Sequence, residues 1–153
     1  MCDLKYLDFD DVNPSELMDL LNNVRVRRHL VEHEEFTIDN LTKWMESKKE
    51  INDIPGCRVQ GVIYKSSLVG WCGIQHENNQ YEFAIILDDK FWGLGKRIFK
   101  DMMQWAKEMR HTEITINFLH SRPEYKFLKN AAISVYETEI FGHKFLCYQL
   151  PVK

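Results

Sequence analysis

The sequence predicts an α+β fold built on a single mixed, mostly antiparallel twisted sheet flanked by helices. Three observations carry that expectation. Residues 57–87 hold three consecutive extended segments joined by short polar turns, the pattern of an antiparallel meander. Stretches with apolar residues spaced three and four apart lie on both sides of that block, as amphipathic helices require. Two further extended segments close the chain around Phe141-Gly142. Strands grouped in this way, with helices interposed, assemble into one sheet covered by helices. At 153 residues the chain has the size of one domain, 1–153, with a substantial core.

The elements follow in order. Leu4 to Phe9 alternates enough for an edge strand. Asn13-Pro14-Ser15-Glu16 then opens a helix: Asn13 caps it, Pro14 fits the first helical position and Glu16 completes a box-like start. A short helix covers Val24 to Val31. Thr37 caps an amphipathic helix over 38–49, with Leu41, Trp44 and Met45 on one face and Lys48-Lys49-Glu50 as a solvated end. Cys57 to Tyr64 and Leu68 to Gln75 form a hairpin about Lys65-Ser66-Ser67. His76-Glu77-Asn78-Asn79 turns the chain into a strand from Tyr81 to Leu87. Gly95 to Arg110 carries Ile98, Met102, Trp105, Ala106 and Met109 on one stripe and is the clearest helix. Glu113 to Leu119 is a strand, Pro123 opens a helix reaching Asn130, and Ile133 to Ile140 and His143 to Leu150 are the closing strands.

Composition excludes several classes. A formal charge of -3, with 20 basic against 23 acidic residues, does not suit a chain that grips long nucleic acid through its overall field. No apolar run approaches membrane-spanning length and the opening residues lack a secretion-signal layout, so the expected location is cytoplasmic, with no membrane partner. Cys2, Cys57, Cys72 and Cys147 form no CxxC pair, and three of them lie in apolar strands, which predicts buried free thiols rather than disulfides or a zinc knuckle.

The most informative junction is the strand ending Glu82-Phe83-Ala84-Ile85-Ile86-Leu87, followed by Asp88-Asp89-Lys90-Phe91 and by Trp92-Gly93-Leu94-Gly95 at the head of the long helix. Glycine permits positive φ and close backbone approach, and a helix start presents N–H groups to anions, so the junction suits a pyrophosphate. It is not a P-loop, because no Gly-Lys-Ser/Thr follows. Ile98 stands where the dinucleotide fingerprint needs its third glycine.

With Glu82, Trp92, Gly93 and Gly95 in that order and spacing, the chain resembles the GNAT superfamily of acetyl-coenzyme A dependent N-acetyltransferases. The Leu4-Lys5-Tyr6-Leu7 strand and the Asn22-Asn23-Val24-Arg25 helix make it most similar to the branch containing ribosomal-protein acetyltransferases, and the likeness in element order covers nearly the whole chain. The resemblance implies a bacterial, cytoplasmic acyltransferase with the acyl-CoA acyltransferase fold. It implies acetyl-CoA as cosubstrate, no metal, and a small-molecule or protein amine as acceptor. Main-chain groups of Ile85 and Leu87 would meet the pantetheine arm, and Trp92, Gly93, Leu94, Gly95, Lys96 and Arg97 would form the pyrophosphate cradle. Arg97 departs from the family's small residue; its bulk would crowd the phosphates or its guanidinium would pair with one, and pairing is the expectation because the side chain can extend away from the turn.

Direct transfer to an amine needs a base, because the amine is mostly protonated at neutral pH, and the departing thiolate benefits from an acid. The resemblance gives Glu82 as the base, acting through water. Leu128 stands where many members carry the acid tyrosine, so Tyr125, one turn earlier, is the candidate acid, with His120 as a second. A chain without that tyrosine also fits a non-catalytic coenzyme A binding or protein-interaction module of the same fold.

Two other patterns stand in the sequence. His29-Leu30-Val31-Glu32-His33 fits the H-x-x-E-H zinc-peptidase signature, but no third ligand announces itself. Arg25, Arg27, Arg28 and His29 read as solvated helix charge, while the resemblance implies that this region forms a wall of the acceptor site; a structured RNA is the one nucleic acid they could suit, and the lack of interleaved aromatics counts against it. Residues 90–110 carry +4 against -7 for the remainder, so the mild total charge conceals a basic helix start suited to a small polyanion, and the acidic surround suits cationic amines. The late strands also offer a surface for a homodimer.

Overall fold

The computed structural model describes residues 3–27, 35–77, 79–119, 126–140 and 142–152. Strand β1 (Leu4–Leu7) leads through a 3-10 turn (Phe9–Asp11) to helices α1 (Pro14–Asn22), α2 (Val24–Arg27) and α3 (Ile38–Asn52). Strands β2 (Arg58–Tyr64), β3 (Ser67–Glu77) and β4 (Gln80–Leu87) follow, then a 3-10 turn (Asp89–Leu94) that runs into α4 (Gly95–Glu108). Strand β5 (Glu113–Leu119), helix α5 (Lys126–Ala131) and strands β6 (Ser134–Ile140) and β7 (His143–Pro151) complete the order.

The strands form one seven-stranded sheet in the order β1-β2-β3-β4-β5-β7-β6. Every neighbouring pair is antiparallel except β4 and β5, which are parallel. A parallel pair needs a crossover, and α4 supplies it. The expected mixed, mostly antiparallel sheet is therefore present. What periodicity did not specify is that the final hairpin places β7, not β6, against β5.

Alternation along the strands sorts side chains onto two faces. Phe83, Ile85, Leu87, Ile114, Ile116 and Phe118 pack against Ile98, Met102, Trp105 and Ala106 of α4 and Leu128 of α5. On the other face Val59 and Trp71 meet Leu17, Leu20 and Leu21 of α1 and Leu41 and Met45 of α3. Cys57, Cys72 and Cys147 are buried free thiols, as expected, while Cys2 lies outside the described residues.

Local chemistry explains the ends. Asn13 caps α1 through Oδ1, which accepts from the Ser15 and Glu16 amides at 2.9 and 3.4 Å. Glu16 does not close a box there; its Oε2 accepts from the Leu68 amide at 3.4 Å and ties the helix to β3. The reciprocal box forms at α3 instead. Thr37 Oγ1 accepts from the Asn40 amide, and Asn40 Oδ1 from the Thr37 amide at 2.6 Å. Lys65 and Ser66 both have positive φ, 49° and 69°, between the paired residues Tyr64 and Ser67. The β2–β3 turn thus has two residues with mirror-image turn geometry, which matches strand twist. Strand β3 runs on to Glu77, through the predicted turn, because His76 and Glu77 pair with Tyr81 and Gln80.

Candidate active site

Strands β4 and β5 share two rungs, Glu82↔Thr115 and Phe83↔Ile116. Beyond them Ala84–Leu87 stays paired with β3 and Asn117–Leu119 with β7, but not with each other, so the two strands part. The Asp88 amide donates to Val69 O at 3.0 Å on the β3 side. Main-chain direction alternates along a strand, so the polar groups of Ile85 and Leu87 point away from β3 into the opening. Leu87 O there accepts from Trp92 Nε1 at 3.3 Å. Ile85, Leu87, Phe99, Ile116, Phe118 and Phe127 line a cleft in the opening on the α4 side. Phe83, Phe99 and Phe127 meet edge to face, with centroids 5.7 and 5.4 Å apart.

The head of α4 closes one end of this cleft. Leu94 is its N-cap and provides no side-chain acceptor, and no acidic residue stands in the first turn. Such a helix start retains its attraction for anions. The positive φ that glycine permits is not used here: Gly93 is not among the positive-φ residues, and Gly95 has φ −57° and ψ −39°. Packing among the described residues does not require either glycine, since a Cβ added at either would meet none of their atoms within 4 Å. The space in front of them admits a ligand's close approach. Lys96 Nζ lies 5.7 Å from the Phe127 ring centroid, and Arg97 Nε pairs with Asp101 at 3.2 Å, one turn along the same helix. Asp101 also accepts from Tyr6 OH at 2.5 Å, which fixes α4 to β1.

Glu82 lies on the opposite face of the sheet, at the point where β4 and β5 part. Asn117 Nδ2 donates to its Oε2 at 2.9 Å. Burial raises the carboxyl pKa above its ordinary value and the nearby Glu77 charge adds to this, while the Asn117 hydrogen bond and Lys48 oppose it. Asn117 Oδ1 is buried and has no hydrogen-bond partner among the described residues, which leaves it an acceptor to be satisfied. Behind Asn117, its rung partner Cys147 is buried, which raises the thiol pKa, and is hydrogen-bonded with Tyr136 on β6.

Lys48 corrects the expectation of a solvated helix end. Its ammonium donates to Gln75 Oε1 at 2.6 Å and lies 4.7 and 5.2 Å from the ring centroids of Trp71 and Trp44. Burial lowers its pKa, against the charges of Glu77 and Glu82. Asn117, Gln75 and Lys48 were missed from sequence because strand register and helix docking, not local pattern, bring them beside Glu82.

Tyr125, His120 and the whole His29–His33 motif lie outside the described residues, as does Arg28; Arg25 and Arg27 fall on α2. Among the described residues no group of three His, Cys, Asp or Glu side chains is placed to hold a metal, and no helix is long and apolar enough to cross a membrane.

No family model matches the chain, and no curated protein matches it. Solved structures do. Spermidine N-acetyltransferase from Vibrio cholerae, solved with CoA and spermine, superposes with a TM-score of 0.75 at 15% identity, over 98% of this chain and 96% of that one. The microcin C7 self-immunity acetyltransferase MccE, solved with acetyl-CoA and AMP, gives 0.70 at 16% identity over 98% and 93%. The Salmonella typhimurium acetyltransferase that modifies the N-terminal serine of ribosomal protein L7/L12 gives 0.68 at 13% identity over 98% and 94%. The chain has the fold of the GNAT acetyltransferases, and its resemblance to them extends over nearly its whole length.

Proposed function

We propose that the protein is an acetyl-CoA dependent N-acetyltransferase that joins an acetyl group to a primary amine by direct attack in a ternary complex. The observation that carries this reading is the place of Glu82. It is a half-buried carboxylate of raised proton affinity, held by Asn117 where β4 and β5 separate and reached from the face opposite the α4 cleft. The glycines at the head of α4, its uncapped first turn and its basic residues suit the phosphates of the cosubstrate, and the inward main chain of Ile85 and Leu87 suits its amide-bearing arm.

Glu82 takes a proton from the ammonium, directly or through a water, and the neutral amine attacks the acetyl carbonyl. The new C–N bond forms as the C–S bond breaks, the thiolate takes a proton from Tyr125 or from solvent, and the acylated nitrogen gives its remaining extra proton back to that phenolate or to solvent. A carboxylate of raised pKa is a stronger base than an exposed one. Acceptors named for the similar structures include a polyamine and a protein N-terminus.

Calorimetric titration with acetyl-CoA, followed by an amine screen that reads free thiol, tests the proposal. We expect micromolar binding and acceptor-dependent thiol release that falls at least 100-fold in Glu82→Gln with cosubstrate affinity unchanged. Folded protein that does not bind acetyl-CoA overturns it. Binding without turnover on any amine would leave a coenzyme A binding module instead.

A further inference from the structure

The surroundings of Lys48 have the chemistry of a receptor for an ammonium ion. Two indoles, Trp44 and Trp71, meet edge to face with centroids 5.5 Å apart, and both lie within about 5 Å of Nζ. The buried Gln75 offers its amide oxygen at 2.6 Å, and the carboxylates of Glu77 and Glu82 act on the same charge. Trp44 and Lys48 are one turn apart on α3. Trp71, Gln75 and Glu77 share a face of β3, and Gln75 is the direct rung partner of Glu82. Aromatic faces, one strong acceptor and an excess of negative charge are what an alkylammonium group requires, and here the protein's own side chain provides the cation.

We propose that Lys48 plugs an ammonium subsite of the acceptor pocket and so decides which amines enter, a reading that rests on the proposed acetyl transfer at Glu82. Directly opposed residues on neighbouring strands are about 5 Å apart at Cβ. A short diamine with one nitrogen at Glu82 therefore needs its second ammonium where Lys48 Nζ already stands. The wild-type protein excludes diamines by like charge and by occupancy, and accepts amines that bear a single cation. Removing the lysine turns the same cage into a subsite for the second ammonium.

The first test needs neither acetyl-CoA nor turnover. n-Butylammonium chloride is titrated into wild type, Lys48→Ala and Lys48→Met, reading tryptophan emission and melting temperature. Lys48→Ala should bind it saturably, at least tenfold more tightly than wild type, and gain melting temperature with it by mass action. Lys48→Met, whose neutral stem refills the cage, should not, and adding Trp71→Leu to Lys48→Ala should abolish the gain. Should Lys48→Ala be unfolded alone, the amine should restore its circular dichroism. Equal affinity in wild type and Lys48→Ala, or an unfolded variant that the amine does not restore, overturns the proposal.

The second test is turnover. The ratio of diaminobutane to n-butylamine acetylation should rise at least tenfold in Lys48→Ala, and an unchanged ratio in active enzyme overturns the proposal. If no variant acetylates any amine while the binding results hold, the acetyl-transfer reading fails and the ammonium subsite stands.

Discussion

Asn117 Nδ2 donates to Glu82 Oε2 at 2.9 Å from the strand that is leaving β4, so a residue on the far side of the opening orients the carboxylate on the near side. This hydrogen bond favours the charged form of the acid, against burial and Glu77. Asn117→Ala should therefore raise the proton affinity of Glu82 further. The acidic limb of the kcat/KM profile should move to higher pH and activity at neutral pH should fall on the order of tenfold, as measured by thiol release across pH.

The raised pKa of Glu82 also fixes the sign of a stability effect. A carboxyl that binds its proton more tightly folded than unfolded adds stability below its unfolded pKa, and this is lost as pH rises through the folded value. At pH 7 the folded protein bears the cost of the buried charge. Glu82→Gln, which keeps an acceptor for Asn117, should melt roughly 2–4 °C higher than wild type at pH 7, with the difference closing toward acidic pH. Calorimetric scans over that range check it.

Gly95 and Gly73 should respond in opposite ways. A Cβ at Gly73 would collide with the carbonyl of Arg58 on β2, so Gly73→Ala should destabilise the sheet by 1 kcal/mol or more, on the order of a small overpacking defect. Gly95 has helical φ and ψ and open space, so Gly95→Leu should keep or slightly raise the melting temperature while weakening acetyl-CoA binding at least tenfold. Melting and titration together separate the two outcomes.

Thr37→Ala removes half of the reciprocal cap of α3 and should cost about 1 kcal/mol in denaturant unfolding. Because α3 carries Trp44 and Lys48, the loss should also broaden the environment of those tryptophans in emission spectra.

Trp92→Phe keeps an aromatic ring at the junction but removes the indole donor to Leu87 O. We expect a loss of about 1 kcal/mol, the net value of a hydrogen bond, seen as a several-fold weaker acetyl-CoA affinity rather than as loss of fold.

The legible parts of the sequence were those fixed by near neighbours. The apolar stripe of α4, the Thr37 cap and the strand-to-helix junction from Glu82 to Gly95 are each local in sequence, and each lies where periodicity, cap chemistry or the glycine motif respectively put it. Glu16 looked like half of a capping box because it has the right spacing from Asn13, yet Leu68, 52 residues away, takes its carboxylate. Lys48 looked solvated because its sequence neighbours are charged. Its burial follows from Trp71 and Gln75 on a strand that sequence alone does not dock against α3. Asn117 reads only as an alternating strand position, since its role depends on how β4 and β5 are registered. The glycine pair was located by its motif, and of the two properties that glycine offers there it is open space for close approach, not positive φ, that the fold uses.

Two rungs join one plate, β1 to β4, to another, β5 to β7. Leu4 lies at one outer margin and Pro151 on the other plate, so a tensile load applied between them must pass through this seam or through the helices that clamp it. The place where chemistry is proposed is thus also the mechanical weak line of the sheet, and whatever wedges into it acts as a rivet between the plates.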